Sequence, residues 1–367
     1  MELHHCQSID TATIIGISTT LPEENGMKLS PFLIAAAALA CGQATAQSSV
    51  NVFGVADAAM RVFDNDGART WTIGSGGYAA SRIGVRATEA LGDGLYAGAW
   101  MEGTVNYNNG TGNSARLWNR RSTVSLGGKF GELRVGHDLT PSYTAFGEFD
   151  VFGVSGLADQ GKFYSTAFGS GIEATGLWAR ADNIVSYFTP DTLGGFYANV
   201  AVAAGEGKPA QKYRGTRIGY ADQQLNLSAA IGNFDGIAGM LRRTSLSASY
   251  SLPMATLIAS TVRNEYLGAA RLVTQIGAVV PLPVGKLRAN YTWIGSTGTL
   301  AGVPVGADDA TQLAVGYTVD VSRRTTLYAT YVDLRNQGNA RFAVATAQGL
   351  GAGGRSRGAE TGISHRF

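Results

Sequence analysis

The sequence predicts an all-β chain, a transmembrane antiparallel up-and-down β-barrel of about 16 strands. Three observations carry that prediction. Apolar residues alternate with small or polar ones in segments of about ten residues, the period of a strand with two different faces. The composition is 15% charged, with 50 Gly among 367 residues; soluble domains average ~25% charged and about half as much Gly. Beyond position 46 no run reaches the ~18 consecutive apolar residues of a membrane helix.

Taken in order, residues 1–26 fit no export signal and read as an over-long gene start. Residues 27–46 read as a signal peptide. Met27-Lys28 opens a short positive region, Leu29 to Ala40 is a mostly apolar run too short to span a bilayer, and Ala44-Thr45-Ala46 closes it with small residues. The barrel domain then occupies 47–367. Cys6 and Cys41 both precede the cut, so the exported part holds no disulfide or thiolate metal site. Removing one base (Lys28) and four acids (Glu2, Asp10, Glu23, Glu24) takes the formal net charge from +2 to +5. So small an excess argues against a nucleic-acid partner.

The strands follow. In "SRIGVRATEALGDGL", Ser81 to Leu95, Arg82 and Arg86 alternate with Ile83, Val85 and Ala87. Leu225, Leu227, Ala229 and Ile231 alternate with polar or small residues. So do Leu246, Ala248, Tyr250 and Leu252; Leu287, Ala289, Tyr291 and Trp293; and Leu313, Val315, Tyr317 and Val319. The intervening face is rich in Gly, Ser, Asn and Arg, where a soluble sandwich would show Lys and Glu. Short turns (Gly92 to Gly94, Pro253-Met254, Asp320 to Arg324 among them) alternate with longer links at Asp64 to Gly77, Asn108 to Leu117 and Asn336 to Arg355. Short connections on one side and long ones on the other make a meander. Tyr78, Tyr96, Trp100, Tyr107, Tyr187, Phe188, Phe196 and Tyr197 gather near strand ends, as rings at a bilayer interface do. The closing "AETGISHRF" puts Thr361, Ile363, His365 and Phe367 on one face.

Hydrocarbon leaves no partner for an open sheet edge, so such strands must close into a ring. Ile83, Val85 and Ala87 then face lipid, while Arg82 and Arg86 face a water-filled interior. A cation costs ~2–4 kcal/mol on the lipid face at mid-bilayer and little in the lumen.

The stretches "SSVNVFGVADA", "SRIGVRATEALGDGL", "NRRSTVSLGGKFGELRVGHD", "EFDVFG", "RADNIVSYFTP", "SRRTTLYATYV" and "GISHRF" occur in the order seen in a known family. From Ser48 to Phe367 the chain resembles the general porins of Gram-negative outer membranes, the proteobacterial sixteen-stranded trimeric type. The resemblance implies an inward-folded third extracellular loop, matched by 140–179, which is long enough to be functional on length alone. It implies a constriction with Arg82, Arg120 and Arg180 on the wall beside Glu102, and with Glu148 and Asp150 on the loop; Asp159 is a weaker loop candidate. Strand parity leaves open whether Arg120 or Arg121 points inward. Arg86, Lys286 and Arg288 read as pore lining, and Phe367 as the C-terminal assembly signal. His137 departs from the pattern, which usually has Arg there, and so gives up a fixed charge at neutral pH.

The implied function is passive diffusion of small hydrophilic solutes and ions across the cell outer membrane, with a weak anion preference. The implied partners are those solutes, outer-membrane lipid and lipopolysaccharide, and two further copies of the chain. The alternatives are a substrate-specific channel for sugars, phosphate or carboxylates, and a surface adhesin. Enzymatic chemistry is not expected: no G-x-S-x-G elbow occurs, and "GLGAGG" (Gly349 to Gly354) lacks the helix and downstream acid of a dinucleotide site. No cofactor or metal is expected either, since His137 and His365 are the only histidines of the exported part and lie on different strands.

Overall fold

The computed structural model describes residues 48–165, 168, 179–207, 211–236 and 238–367. The expected gene start and signal peptide lie outside them. Sixteen strands form one closed antiparallel ring: β1 Ser49–Asn65, β2 in two arms Ala68–Ser75 and Arg82–Gly92, β3 Leu95–Asn106, β4 Arg121–Gly128, β5 Gly131–Leu139, β6 Arg180–Phe188, β7 Phe196–Ala203 and β8 Tyr213–Ala221. The second half comprises β9 Leu225–Asp235, β10 Met240–Leu252, β11 Ala255–Tyr266, β12 Ala269–Pro281, β13 Lys286–Leu300, β14 Ala310–Asp320, β15 Thr325–Asn336 and β16 Arg355–Arg366. Thr111–Gly112 and Val303–Pro304 are two-residue pieces within long connections. Among the described residues between β5 and β6 are two short helices, α1 Pro141–Gly147 and α2 Lys162–Ser165. No described helix is long and apolar enough to cross a membrane.

Each strand pairs with its neighbour in sequence, and β1 closes the ring on β16 from Val55↔Arg366 to Asn65↔Ser356. The chain end completes the seam. Gly54 and Phe367 exchange both backbone hydrogen bonds, at 3.1 and 3.2 Å. The Phe367 ring lies over Gly54, where a Cβ would come within 2.3 Å of it, so only glycine fits beneath the final residue. At the short-turn end Asp93 and Gly94 both take positive φ, 50° and 80°. That is the two-residue hairpin geometry matching strand twist.

The link expected over Asp64 to Gly77 is mostly strand. The turn is only Asp66-Gly67, and Ala68–Ser75 returns along β1. The chain then breaks at 76–81 before the second arm pairs with the start of β1. One buried carboxylate organises this break. Asp57 accepts hydrogen bonds from the N–H groups of Gly77, Tyr78 and Ala79 (2.8, 3.1 and 3.0 Å) and from Tyr328 Oη (2.6 Å).

The two faces are inverted relative to a soluble protein. Leu246 is 62% exposed on the outer face of β10, while Arg243 on the inner face is 0% exposed. Met60, Ile83, Ile218, Ile276 and Leu313 share the outward class; Asn264, Gln275, Asn290, Gln312 and Ser356 share the buried one. Charged or amide side chains thus occupy the interior and aliphatic ones the perimeter. The interior is not polar throughout. Near the long connections Val262, Val273, Ile294, Val332 and Leu334 turn inward and pack with Phe146, Phe152, Phe163 and Phe342. Tyr78 and Trp100, expected at the bilayer interface, also lie inside: Tyr78 stacks on Tyr328, and Trp100 sits against Arg86 and Arg121. Parity decides this, since Trp100 is the register partner of Arg86.

Leu246→Arg puts a cation at the middle of the lipid-facing surface and should lower unfolding free energy in lipid vesicles by about 2–4 kcal/mol. Leu252→Arg, at the end of the same strand, should cost only about 0–1 kcal/mol by the same depth dependence. Urea titration of both variants in vesicles compares the two depths directly.

Candidate functional site

The arginines expected on one stretch of wall come together. Arg82 opens the second arm of β2, Glu102 lies on β3, Arg120 directly precedes β4, and Arg180 opens β6. Arg120 Nε donates to Glu102 Oε1 at 2.6 Å, and Arg82 Nε lies 3.6 Å from the same oxygen. Arg180 Nε donates to the Arg120 carbonyl at 2.6 Å, joining the third guanidinium to the group. Two cations therefore share one carboxylate, and the third lies beside them on the Arg120 backbone. The open choice between Arg120 and Arg121 resolves as both. Arg121 is the register partner of Glu102 and faces the interior over Trp100, while Arg120, just outside the ladder, turns back to Glu102. Beside them His137 lies between Asp182 Oδ1 (2.6 Å from Nδ1) and the Asn119 carbonyl (3.0 Å from Nε2), and Asp182 also accepts from Arg116.

The long connection after β5 starts with Pro141 in the first turn of α1, where its missing N–H leaves no helical bond unmade. From there the segment touches inward-facing side chains around the ring. Ser247 Oγ on β10 donates to Ala145 O (2.9 Å), and Gln275 Nε2 on β12 to Phe149 O (2.6 Å). Gln160 Nε2 donates to Thr292 Oγ1 on β13 (2.7 Å), and Gln312 Nε2 on β14 to Ala158 O (3.2 Å). Leu157 N–H donates to Glu360 Oε1 on β16 (2.9 Å), and Gly156 N–H to Gly76 O at the break in β2 (3.0 Å).

Glu148 and Asp150 have local partners. Both Glu148 oxygens accept from Arg217 on β8, at 2.9 and 2.5 Å, and Arg217 also reaches Tyr197 and Ser228. Asp150 is buried and accepts the N–H groups of Phe152 (2.8 Å) and Gln160 (3.3 Å) within its own segment. Burial pushes its carboxyl up to about 7, against those donors. Asp159, which accepts the Gly161 N–H at 2.6 Å, is raised for the same reason. Burial pushes the Lys162 ammonium, which donates to Leu157 O and Gln312 Oε1, down to about 8. Of the expected lining residues, Arg288 binds Tyr78 Oη (3.0 Å) and Val151 O (3.4 Å). Arg86 lies over Trp100, and the half-exposed Lys286 sits by a short turn, 3.9 Å from Asp320.

Sequence reasoning missed several interior arginines. Besides Arg217 they include Arg61, which donates to Glu360, Arg134, which donates to Glu132 and Asp138, Arg243, which donates to Asn264 among the rings of Phe146, Tyr164 and Phe234, and Arg271, which donates to Ser296. A signal for Arg243 was present. Extending the outward set of Leu246, Ala248 and Tyr250 back by two steps sends Arg242 out and Arg243 in. No group of three or more metal-ligating side chains occurs among the described residues.

Residues 33–339 match the family model for Gram-negative porins. The chain belongs to that family. The porin is similar to outer membrane porin protein 32 of Delftia acidovorans, with 32% identity over 91% of this chain and 99% of that one. Among solved structures it resembles an anion-selective porin from Comamonas acidovorans, with TM-score 0.78 and 30% identity over 88% of this chain and 100% of the other. The trimer form of OmpT from Vibrio cholerae, an outer membrane protein, shares the fold at TM-score 0.63 and 16% identity, over 87% and 99% of the two chains. The porin is thus an outer-membrane β-barrel channel.

Two measurements bear on the loop. Glu148→Gln removes the carboxylate facing Arg217 and should loosen the loop by about 1 kcal/mol, at the low end for charged hydrogen bonds because Glu148 is half exposed; faster proteolysis of 140–165 in detergent reports it. Asp150 binds its proton more tightly in the packed loop than in the unfolded chain, so its stabilising contribution is complete below pH ~4 and is lost as pH rises through about 7. Asp159 acts in the same direction, whereas Lys162 changes stability only above about pH 8, where rising pH favours the packed form. Proteolytic protection should therefore increase on acidification from pH 8 to pH 5, and Asp150→Asn should flatten that dependence.

Proposed function

We propose that the porin is a passive diffusion channel for small hydrophilic solutes and ions, with a preference for anions. The observation that carries this is the wall cluster, where Arg82 and Arg120 meet the single carboxylate of Glu102 and Arg180 joins them through the Arg120 carbonyl, so guanidiniums outnumber carboxylates in the group. In this reading 140–179 folds into the barrel and narrows it, which the contacts from β8 round to β2 support. Glu148 and Asp150 then serve the constriction as anchors, Glu148 tying the loop to Arg217 and Asp150 fixing its turn. An anion entering the narrow zone exchanges part of its hydration for guanidinium donors, while a cation meets repulsion over the same distance. No covalent step and no energy input are involved. The anion-selective porin among the similar structures supports the same sign of preference.

The remaining features belong to the same reading. Residues 27–46 direct export, the terminal Phe367 marks the chain for assembly, three copies form the channel unit, and lipid and lipopolysaccharide surround it.

The test is the zero-current potential across a planar bilayer in a salt gradient. Arg82→Glu reverses one wall charge. With about 1 kcal/mol per unit-charge pair at 4 Å in water, the anion-to-cation permeability ratio should fall several-fold. An unchanged potential would remove the cluster from the selectivity mechanism.

A further inference from the structure

We propose that the wall on the short-turn side of the arginine cluster carries a subsite for one small oxyanion, the carboxylate or phosphate group of a passing solute, built on Arg86, Trp100 and Arg121. It rests on the channel reading above and adds a place where a permeating anion pauses.

Arg86 on β2, Trp100 on β3 and Thr123 on β4 are register partners across three adjacent strands, so their side chains share one patch of the interior. One pair nearer the short turns come Thr88, Gly98, Ser125 and Arg134. Gly98 brings no side chain, and these residues, with Arg121, Tyr96 and Glu132, line a recess of about 60 Å³. That space holds a small group and excludes a whole sugar.

The charges around the recess do not balance. Arg134 is held by Glu132 and Asp138, each at 2.8 Å, and Arg121 reaches Asp138 at 3.8 Å. Three guanidiniums thus face two carboxylates, and Arg86 forms no ion pair among the described residues. Arg86 and Arg121 both lie against one indole, their Cζ atoms 5.0 and 4.2 Å from its centre. Two cations attracted to the same ring repel each other, and an anion between them relieves that repulsion. Trp100 Nε1, shielded from solvent, also has no acceptor among the described residues. A shielded N–H lacking an acceptor is an unfavourable arrangement that a bound oxygen would correct. One oxyanion supplies the missing acceptor and the missing negative charge together. A neutral solute supplies no charge, and a cation is repelled.

The experiment is conductance against salt concentration for the refolded porin in planar bilayers, with succinate and inorganic phosphate as probes and chloride as reference. Conductance should saturate with both oxyanions. Arg86→Gln should raise the half-saturating concentration at least about threefold, since charge-assisted hydrogen bonds are the stronger kind. Trp100→Phe, which keeps a ring and removes the N–H, should raise it less, and Arg86→Lys should recover part of the loss. The Trp100→Phe arm stands alone if Arg86→Gln fails to insert. Parent-like half-saturation in both variants, or oxyanion conductance as linear as that of chloride in the parent, overturns the subsite and leaves the channel intact. A parent that carries no current overturns the channel reading itself.

Discussion

The backbone seam between the first and last strands is the constraint on which the rest depends. A peptide group in hydrocarbon finds no water, so each N–H and C=O must meet another strand, and an open edge would leave a whole row unmatched. The ladder from Val55↔Arg366 to Asn65↔Ser356, extended by the Gly54–Phe367 pair, removes that edge. Once the ring is closed, the period-two alternation sorts every side chain into one of two solvents. Over most of the wall aliphatic groups go to the perimeter and guanidinium, amide and hydroxyl groups to the centre, while Val262, Val273, Ile294, Val332 and Leu334 turn inward near the long connections.

That sorting makes interior arginines affordable and therefore usable. A soluble core would reject Arg243 or Arg217. Here they meet asparagine, serine, tyrosine and a loop carboxylate, and their aromatic neighbours belong to the same network. In the wall group two guanidiniums meet one carboxylate with a third beside them, whereas Glu148 is paired with Arg217 and Asp150 accepts backbone N–H groups of its own segment. Positive character thus belongs to the immobile wall, and the carboxylates nearest it hold the loop in shape.

Much of this was legible in the sequence because strand parity is a local property. Leu246, Tyr250, Leu287, Tyr291 and Leu313 all face outward as their alternation requires, and Arg82, Glu102, Arg120 and Arg180 lie in one group on neighbouring strands. What could not be read depends on register and on contacts far apart in the chain. Glu148 finds Arg217, 69 positions on, and Glu360 receives Leu157 across 203. Neither pairing leaves a trace in local pattern. Asp57 sits in a matched opening stretch, but its role at the break in β2 is visible only once Gly77, Tyr78 and Ala79 fold back upon it. The segment over Asp64 to Gly77 reads as a link on its Gly- and Asn-rich composition. The alternating Trp71 and Ile73 within it mark the strand.

The seam carries a consequence for biogenesis. Because one edge of β1 is matched only by β16, no set of hairpins lacking either strand can shut the cylinder. Every such partial sheet keeps two exposed margins whose peptide groups hydrocarbon cannot satisfy. Joining the two margins, not accumulation of hairpins, is the event that makes the membrane habitable for the fold.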